Sequence, residues 1–446
     1  MASIAEQAII VSRFQEYLRI NTVQPNPNYM EAVQFIFREA HLIGLQAESI
    51  EFVAAKPIVL LKWTGSDESL PAILLNSHID VVSFEEDNWD RPPLGAEIDG
   101  EGKIYAKGTQ DMKSVGMQYL EAIRMLKASG FNPLRSVYVL FVPDHEHGGT
   151  DGVRMFVQSE KFMSLNIAVV LDKGLPSPTE SYRVFNGERV PWFLEIQAVG
   201  QAGHDAKLYD NSAMENLTKS IECIMRYRAS LVDELKAGFM KEGHVVSVNM
   251  VYLNAGTLQP AEQPTQAVAG FAIRLPPFAD SDELRRRILK EWAPATRNMS
   301  FQLSRADEGI AREKLVTATD DSNPWWGLLQ NAVKQAGGVT SGPEIFPAST
   351  NSWFFRKAGL PAIGFSPISN TPSLRHDNNE VLSPLQILHF IVVEHPSVLL
   401  IMWWIITSQE QFLTPHLTFL QYLSRSEYLK GIDMYVSILM AYTLHA

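Results

Sequence analysis

The sequence predicts an α/β protein in which a mostly parallel sheet flanked by helices is interrupted by a smaller ferredoxin-like α+β unit. Three observations carry that expectation. Apolar runs of strand length alternate with amphipathic helical stretches in the first part of the chain, the pattern of βαβ units. Near Pro191 the order becomes strand, helix, strand, strand, helix, strand, which is that of a ferredoxin-like unit. The first pattern then resumes. The length of 446 residues agrees, because a chain of this size exceeds one ordinary compact core.

The elements follow in order. Residues 3–19 read as an amphipathic helix with Ile4, Ile10, Val11, Phe14 and Leu18 near one face. Residues 31–47 read as a second helix. The apolar run at 72–75 ends in Asn-Ser-His-Ile-Asp, as a buried strand feeding a loop. Asp111 opens a helical stretch that Gly130 stops. Strands are expected at 136–142 and 167–171. In the second unit strands are expected at 192–199, 245–253, 266–274 and 299–303, with helices at about 211–233 and 280–291. This divides the chain into one domain of residues 1–187 and 307–446 and another of residues 188–306. The stretch from His376 to Ser424 contains no Lys or Arg and is strongly apolar. Glu394, His395 and Pro396 leave its clean apolar run too short for the roughly 20 residues of a membrane span. Residues 383–424 therefore read as an atypical apolar insertion.

Composition excludes some partners. The formal net charge is -12, so no basic surplus exists to neutralise phosphates, and nucleic acid or an anionic membrane is not expected. Cys223 is the only cysteine, so an internal disulfide is impossible and a reducing compartment fits. The start lacks the basic segment and apolar core of a signal peptide. Cytoplasmic location is the expectation.

His78 and Asp80 form a His-x-Asp pair at the end of a strand, where open α/β sheets place their sites. Period two turns both side chains the same way, and Asp80 is placed to hold the second nitrogen of a ligating His78. Asp111 lies at a helix start in Lys-Gly-Thr-Gln-Asp-Met-Lys, Glu146 follows a strand in Pro-Asp-His-Glu-His-Gly-Gly, and His376 sits in Ser-Leu-Arg-His-Asp. Singly, each suits a plainer role: an N-cap aspartate, a polar loop, a surface histidine. Together they supply the imidazole nitrogen and carboxylate oxygens that zinc takes, including a carboxylate able to bridge two ions.

Five stretches carry a resemblance. They are Leu-Leu-Asn-Ser-His-Ile-Asp-Val-Val, Tyr-Ala-Lys-Gly-Thr-Gln-Asp-Met-Lys, Phe-Val-Pro-Asp-x-Glu-x-Gly-Gly, Asp-Asp-Ser-Asn-Pro-Trp-Trp and Gly-Phe-Ser-Pro-x-x-x-Thr-Pro. In them the chain resembles the zinc aminoacylase/carboxypeptidase peptidases, over nearly all of residues 1–382 and again from about Arg425. The resemblance implies a metallopeptidase domain carrying two Zn2+ ions. His78 would hold the first ion, Asp111 would bridge, Glu146 and His376 would hold the second, and Asp80 would orient His78. It implies a homodimer through the smaller domain. From there His204 would reach the partner's site to stabilise an oxyanion, and Arg274 would hold a substrate carboxylate. The implied reaction is hydrolysis of an N-acyl-L-amino acid to a carboxylate and a free amino acid.

The chain departs from that pattern at two chemical positions. The general base of the family is the glutamate before the metal-binding one, and here it is His145. The remaining ligand of the first zinc is a glutamate in Leu-Asp-Glu-Gly, and here the stretch is Leu171-Asp172-Lys173-Gly174. Relative to the family the site gains about three positive charges. One zinc rather than two is therefore expected. An arginine is also missing from the Thr350-Asn351-Ser352-Trp353-Phe354 stretch. A working hydrolase with His145 as base, an impaired member acting as a binding or regulatory protein, and a related dipeptidase all remain open at this stage.

Overall fold

The computed structural model describes residues 3–256, 262–306, 310, 315–374 and 421–445. Two helices, α1 (Ile4–Arg19) and α2 (Tyr29–Ile43), precede the antiparallel strands β1 (Gln46–Glu51) and β2 (Pro57–Trp63). Then come β3 (Ala72–His78), the small pair β4 (Glu97–Ile98) and β5 (Lys103–Tyr105), and α3 (Lys113–Ala128). The next elements are β6 (Val137–Val142), α4 (Val153–Val157), α5 (Glu160–Met163), β7 (Ile167–Asp172) and β8 (Tyr182–Glu188). The smaller unit holds β9 (Val190–Val199), β10 (Gly203–His204), α6 (Ala213–Lys236), β11 (Ser247–Ala255), β12 (Glu262–Gln263), β13 (Gln266–Leu275), α7 (Ser281–Arg287) and β14 (Met299–Arg305). The chain returns through α8 (Pro324–Gln335), β15 (Thr340–Phe346), α9 (Ser352–Lys357) and β16 (Ala362–Phe365). Last come β17 (Tyr422–Ser424) and α10 (Arg425–Leu444).

The main sheet has the order β1-β2-β6-β3-β7-β16-β8-β15. Its centre is parallel, β6 with β3, β3 with β7 and β7 with β16, and antiparallel pairings lie toward both sides. Every residue of β3 is buried, as expected of a strand covered on both faces. Ile73, Leu74 and Leu75 are fully buried, and each contributes roughly 1.5–3 kcal/mol. The helix α3 lies directly on this centre because Gly116 allows it. A Cβ there would come within 2.7 Å of Ser77 Oγ and 2.8 Å of the Phe141 ring. On its other side α3 is covered by α10, whose Tyr428, Tyr435 and Tyr442 are fully buried.

The smaller unit is a four-stranded antiparallel sheet, β11-β13-β9-β14, with its first and third strands at the centre. It has its own apolar core around Trp192, Leu194, Phe271 and Trp292, separate from the core of the main sheet. The fold class is thus the one the sequence predicts.

Two boundaries differ from the expectation. The second helix stops at Ile43, not near 47, because Gly44 takes a left-handed conformation (φ 76°) and closes it, and β1 starts at Gln46. Asp111 does not open a helix: it lies in a turn, and α3 begins at Lys113. Of the apolar stretch 383–424, only 421–424 fall among the described residues. No helix among the described residues is long and apolar enough to cross a membrane.

Candidate metal centre and cleft

Three neighbouring strands deliver the site. β3 ends at His78, β6 leads into the turn bearing His145 and Glu146, and β7 leads directly to Lys173. Because these strands are parallel, their carboxyl ends converge at one edge of the sheet. Asp111 enters from the turn before α3.

His78, Asp111 and Glu146 offer ligand atoms that all lie within 4.8 Å of one another. His78 Nδ1 is 2.9 Å from the backbone carbonyl of Asp80, to which it donates, so Nε2 faces the centre, 2.9 Å from Asp111 Oδ1. The Asp80 carboxylate is 3.7 Å from Nδ1. The residue therefore does hold the ring, but through its main chain. The carboxylate instead accepts from the His145 N–H at 3.1 Å, the Glu146 N–H at 3.0 Å and Gln24 Nε2 at 2.8 Å. Its work is to fix the turn that carries His145 and Glu146.

Lys173 is the cationic member of the group. Nζ donates to Asp111 Oδ1 at 2.7 Å and lies 3.3 Å from His78 Nε2, in a position only 2% exposed. Asp172, one residue earlier, faces away: its carboxylate accepts from Asn76 at 2.8 Å and from the backbone and hydroxyl of Ser352 at 2.7 and 2.9 Å. It cannot substitute for the missing ligand. His145 stacks on His78, with ring centroids 4.2 Å apart, and its Nδ1 lies 2.8 Å from Asn351 Oδ1.

Charge distributes unevenly over this group. Burial, and after it the charge of Lys173, pull the His78 imidazole down, but Asp111 and Glu146 outweigh them and leave it above the ordinary histidine value. Burial, Lys173 and His78 together hold His145 well below that value. With Nδ1–H donated to Asn351, the lone pair of a neutral His145 sits on Nε2.

A metal ion bound by His78 and Asp111 needs lone pairs from Nε2 and Oδ1. Lys173 Nζ contacts those same two atoms and has no lone pair to offer when protonated. The residues on this side do not fit an ion. On the other side Asp111 and Glu146 are oxygen donors suited to zinc. His376, the further ligand the family pattern implies, lies outside the described residues.

A cleft of about 440 Å³ opens beside the centre, lined among others by His145, Glu146, Lys173, Arg189, Arg274 and Trp353. This is the size of small-molecule sites. Arg274 donates from Nη1 to Ser349 Oγ at 2.7 Å on its wall. His204 is not among the lining residues. It lies on β10 with its side chain 67% exposed and Nδ1 2.8 Å from Asp205 Oδ1. Sequence reasoning missed Gln24, Arg189 and the contact of Asn351 with His145. Asn351 was legible as a departure from the family pattern, whereas no spacing flags Gln24, which is 56 residues from Asp80.

Residues 74–393 match the profile of peptidase family M20/M25/M40. The chain belongs to this family. Among curated proteins, mouse aminoacylase-1 is 41% identical over 373 residues, covering 83% of this chain and 90% of that one. Human aminoacylase-1 is 38% identical over 380 residues with the same coverage. Aminoacylase-1 of Dictyostelium discoideum is 40% identical over 387 residues, covering 84% and 92%. The M20 fold is shared with solved structures of low identity. A metallo-carboxypeptidase from Sulfolobus solfataricus aligns with TM-score 0.64 at 15% identity, over 98% of this chain and 99% of that one. A dinuclear metal binding peptidase from Bacillus subtilis aligns with TM-score 0.60 at 12% identity, over 99% of both.

Proposed function

We propose that the chain hydrolyses N-acyl-L-amino acids to a carboxylate and a free amino acid, as an aminoacylase-type member of the M20 family. The observation that carries this reading is the identity of 38–41% to aminoacylase-1 over 83% of the chain, joined to a cleft lined by Arg274 as well as by His145 and Glu146. The substrate carboxylate pairs with Arg274, and its amide lies toward Glu146 and His145. Asp111 and Glu146, with His376, would hold a zinc ion, which when bound supplies Lewis-acid polarisation of the amide carbonyl.

The chain's own residues handle the proton. His145 Nε2 accepts it from the attacking water, and the hydroxide adds to the amide carbon. The C–N bond breaks, and the same nitrogen returns the proton to the leaving amine. Asn351 holds the tautomer, and Asp80 fixes the turn. The second unit, residues 188–306, serves as a homodimerisation and lid domain. Its edge strand β11 leaves Val251 and Leu253 more than half exposed, the kind of apolar edge that association covers. His204 would then act on the partner's cleft. A cytoplasmic location fits the single cysteine.

One observation favours a second reading, a binding protein of impaired activity: Lys173 Nζ at 2.7 Å from Asp111. The experiment that separates the two uses the full chain with saturating zinc and N-acetyl-methionine, measuring both amine release and binding. Release above a Glu146→Ala control supports hydrolysis. Saturable binding without release above that control leaves the binding role.

A further inference from the structure

Lys173 Nζ sits against Asp111 Oδ1 and His78 Nε2, the two atoms that an ion shared by these residues would need. We propose that its side chain is a resident replacement for one ion of the pair, making this chain a mononuclear member of a family that includes dinuclear ones. The inference concerns metal content and does not rest on the chain being an active hydrolase.

The geometry carries it. Nζ lies 2.7 Å from Asp111 Oδ1 and 3.3 Å from His78 Nε2. Zinc bonded to the same two atoms at about 2.0–2.2 Å would occupy the space of Nζ itself. All three side chains are buried, Lys173 at 2%, His78 at 0% and Asp111 at 5% exposure, so moving the lysine aside means leaving a cation in the protein interior without its anion.

The backbone that carries it is held in place on both sides. The next residue is clamped: the Gly174 N–H donates to Ser366 Oγ at 2.9 Å, and a Cβ on Gly174 would come within 2.7 Å of the Ser366 nitrogen. On the other side Asp172 is tied to Asn76 and Ser352. The strand end is thus fixed with Lys173 aimed at the centre. One positive charge neutralises Asp111 where a dication would otherwise do so. The carboxylates of Asp111 and Glu146, within 4.8 Å of His78, remain as oxygen donors to a single ion.

The test is zinc stoichiometry, read by elemental analysis after loading the purified full chain with zinc alone and dialysing. Wild type is expected to retain one zinc per chain. Lys173→Glu is expected to retain two, with affinity for the second raised more than about 100-fold, since replacing a direct contact exceeds the effect of an outer one. Lys173→Met, which removes the charge and shortens the side chain by one atom, is expected to leave the first zinc unchanged. Retention of two zincs, or of none, by wild type overturns the proposal. So does a folded Lys173→Glu protein that still holds one. The wild-type measurement decides even where the glutamate variant does not fold.

Discussion

The two sides of Asp111 were built by different rules. Toward Glu146, the site is braced by main-chain hydrogen bonds: Asp80 receives the N–H groups of both His145 and Glu146, and Gln24 completes its shell. Toward Lys173, the strand end and its glycine are equally well fixed, but the side chain delivered there is a cation. Position and chemistry are therefore separable. The fold presents a residue at 145 and at 173 in a defined place whatever that residue is, and these two positions decide what the centre can do.

The side braced by Asp80 is the one whose loss should hurt most. Asp80→Ala removes a fully buried carboxylate and strands three donors, the two N–H groups and Gln24 Nε2. The expected cost is about 3–5 kcal/mol of stability in urea unfolding, with zinc retention and amine release lost as well. A variant that unfolds like wild type and keeps its zinc would show that the turn holds itself.

The opposite side should respond to a change of chemistry without a change of architecture. His145→Glu combined with Lys173→Glu is expected to raise turnover of N-acetyl-methionine by about 100 to 10,000-fold, because it restores the carboxylate base and the ligand of a second ion together. Either change alone should do little, because residues acting as a unit are not additive. If wild type is already as fast as the double variant, the comparison drawn above fails, and His145 and Lys173 form a functional variant centre.

A smaller effect is expected on the cleft wall. Arg274→Ala should raise KM about 10- to 100-fold for an N-acyl amino acid, the worth of a charge-assisted contact, while kcat stays within about 2-fold. An equal loss in kcat would place Arg274 at the reacting amide rather than at the carboxylate.

Much of this was legible in the sequence, and what was not has definite causes. The location of His78 and Glu146 just after apolar runs that stop at polar residues was legible, whereas Asp111 was read as a helix start and lies in the turn before α3. The small unit was legible because its element order is diagnostic, as the order β11-β13-β9-β14 bears out. That Asp80 holds His78 through its main chain was not legible, because period two assumes that the strand continues. β3 ends at His78, the chain turns, and the carboxylate finds the next strand's turn instead. Asp172 faces away from the centre, as alternation along the strand dictates for the neighbour of a residue that points into it. The stacking of His145 on His78 and the bond to Asn351 could not be read at all. They join segments 67 residues apart (78 to 145) and 206 residues apart, and only tertiary packing sets them.

That last contact supports the finest prediction. Asn351 Oδ1 lies 2.8 Å from His145 Nδ1, which places the lone pair of the neutral ring on Nε2, the atom to which the proposed proton transfer is assigned. Asn351→Ala should therefore lower kcat about 5-fold in wild type, the worth of one hydrogen bond of roughly 1 kcal/mol. Its effect on stability should be smaller than usual for a buried polar residue, because Asn351 Nδ2 has no hydrogen-bond partner among the described residues, and removing it relieves an unpaired donor. A merely structural role for Asn351 would produce the same kcat loss whatever stands at 145. A role through the imidazole would not: in the His145→Glu background the alanine substitution should change kcat by less than about 2-fold, a coupling that a double-mutant cycle measures directly. Asn351→Asp, which keeps an acceptor for Nδ1–H, should restore wild-type kcat. A loss of equal size in both backgrounds, or failure of the aspartate to rescue, would remove Asn351 from the proton path and with it the support for Nε2 as the working nitrogen.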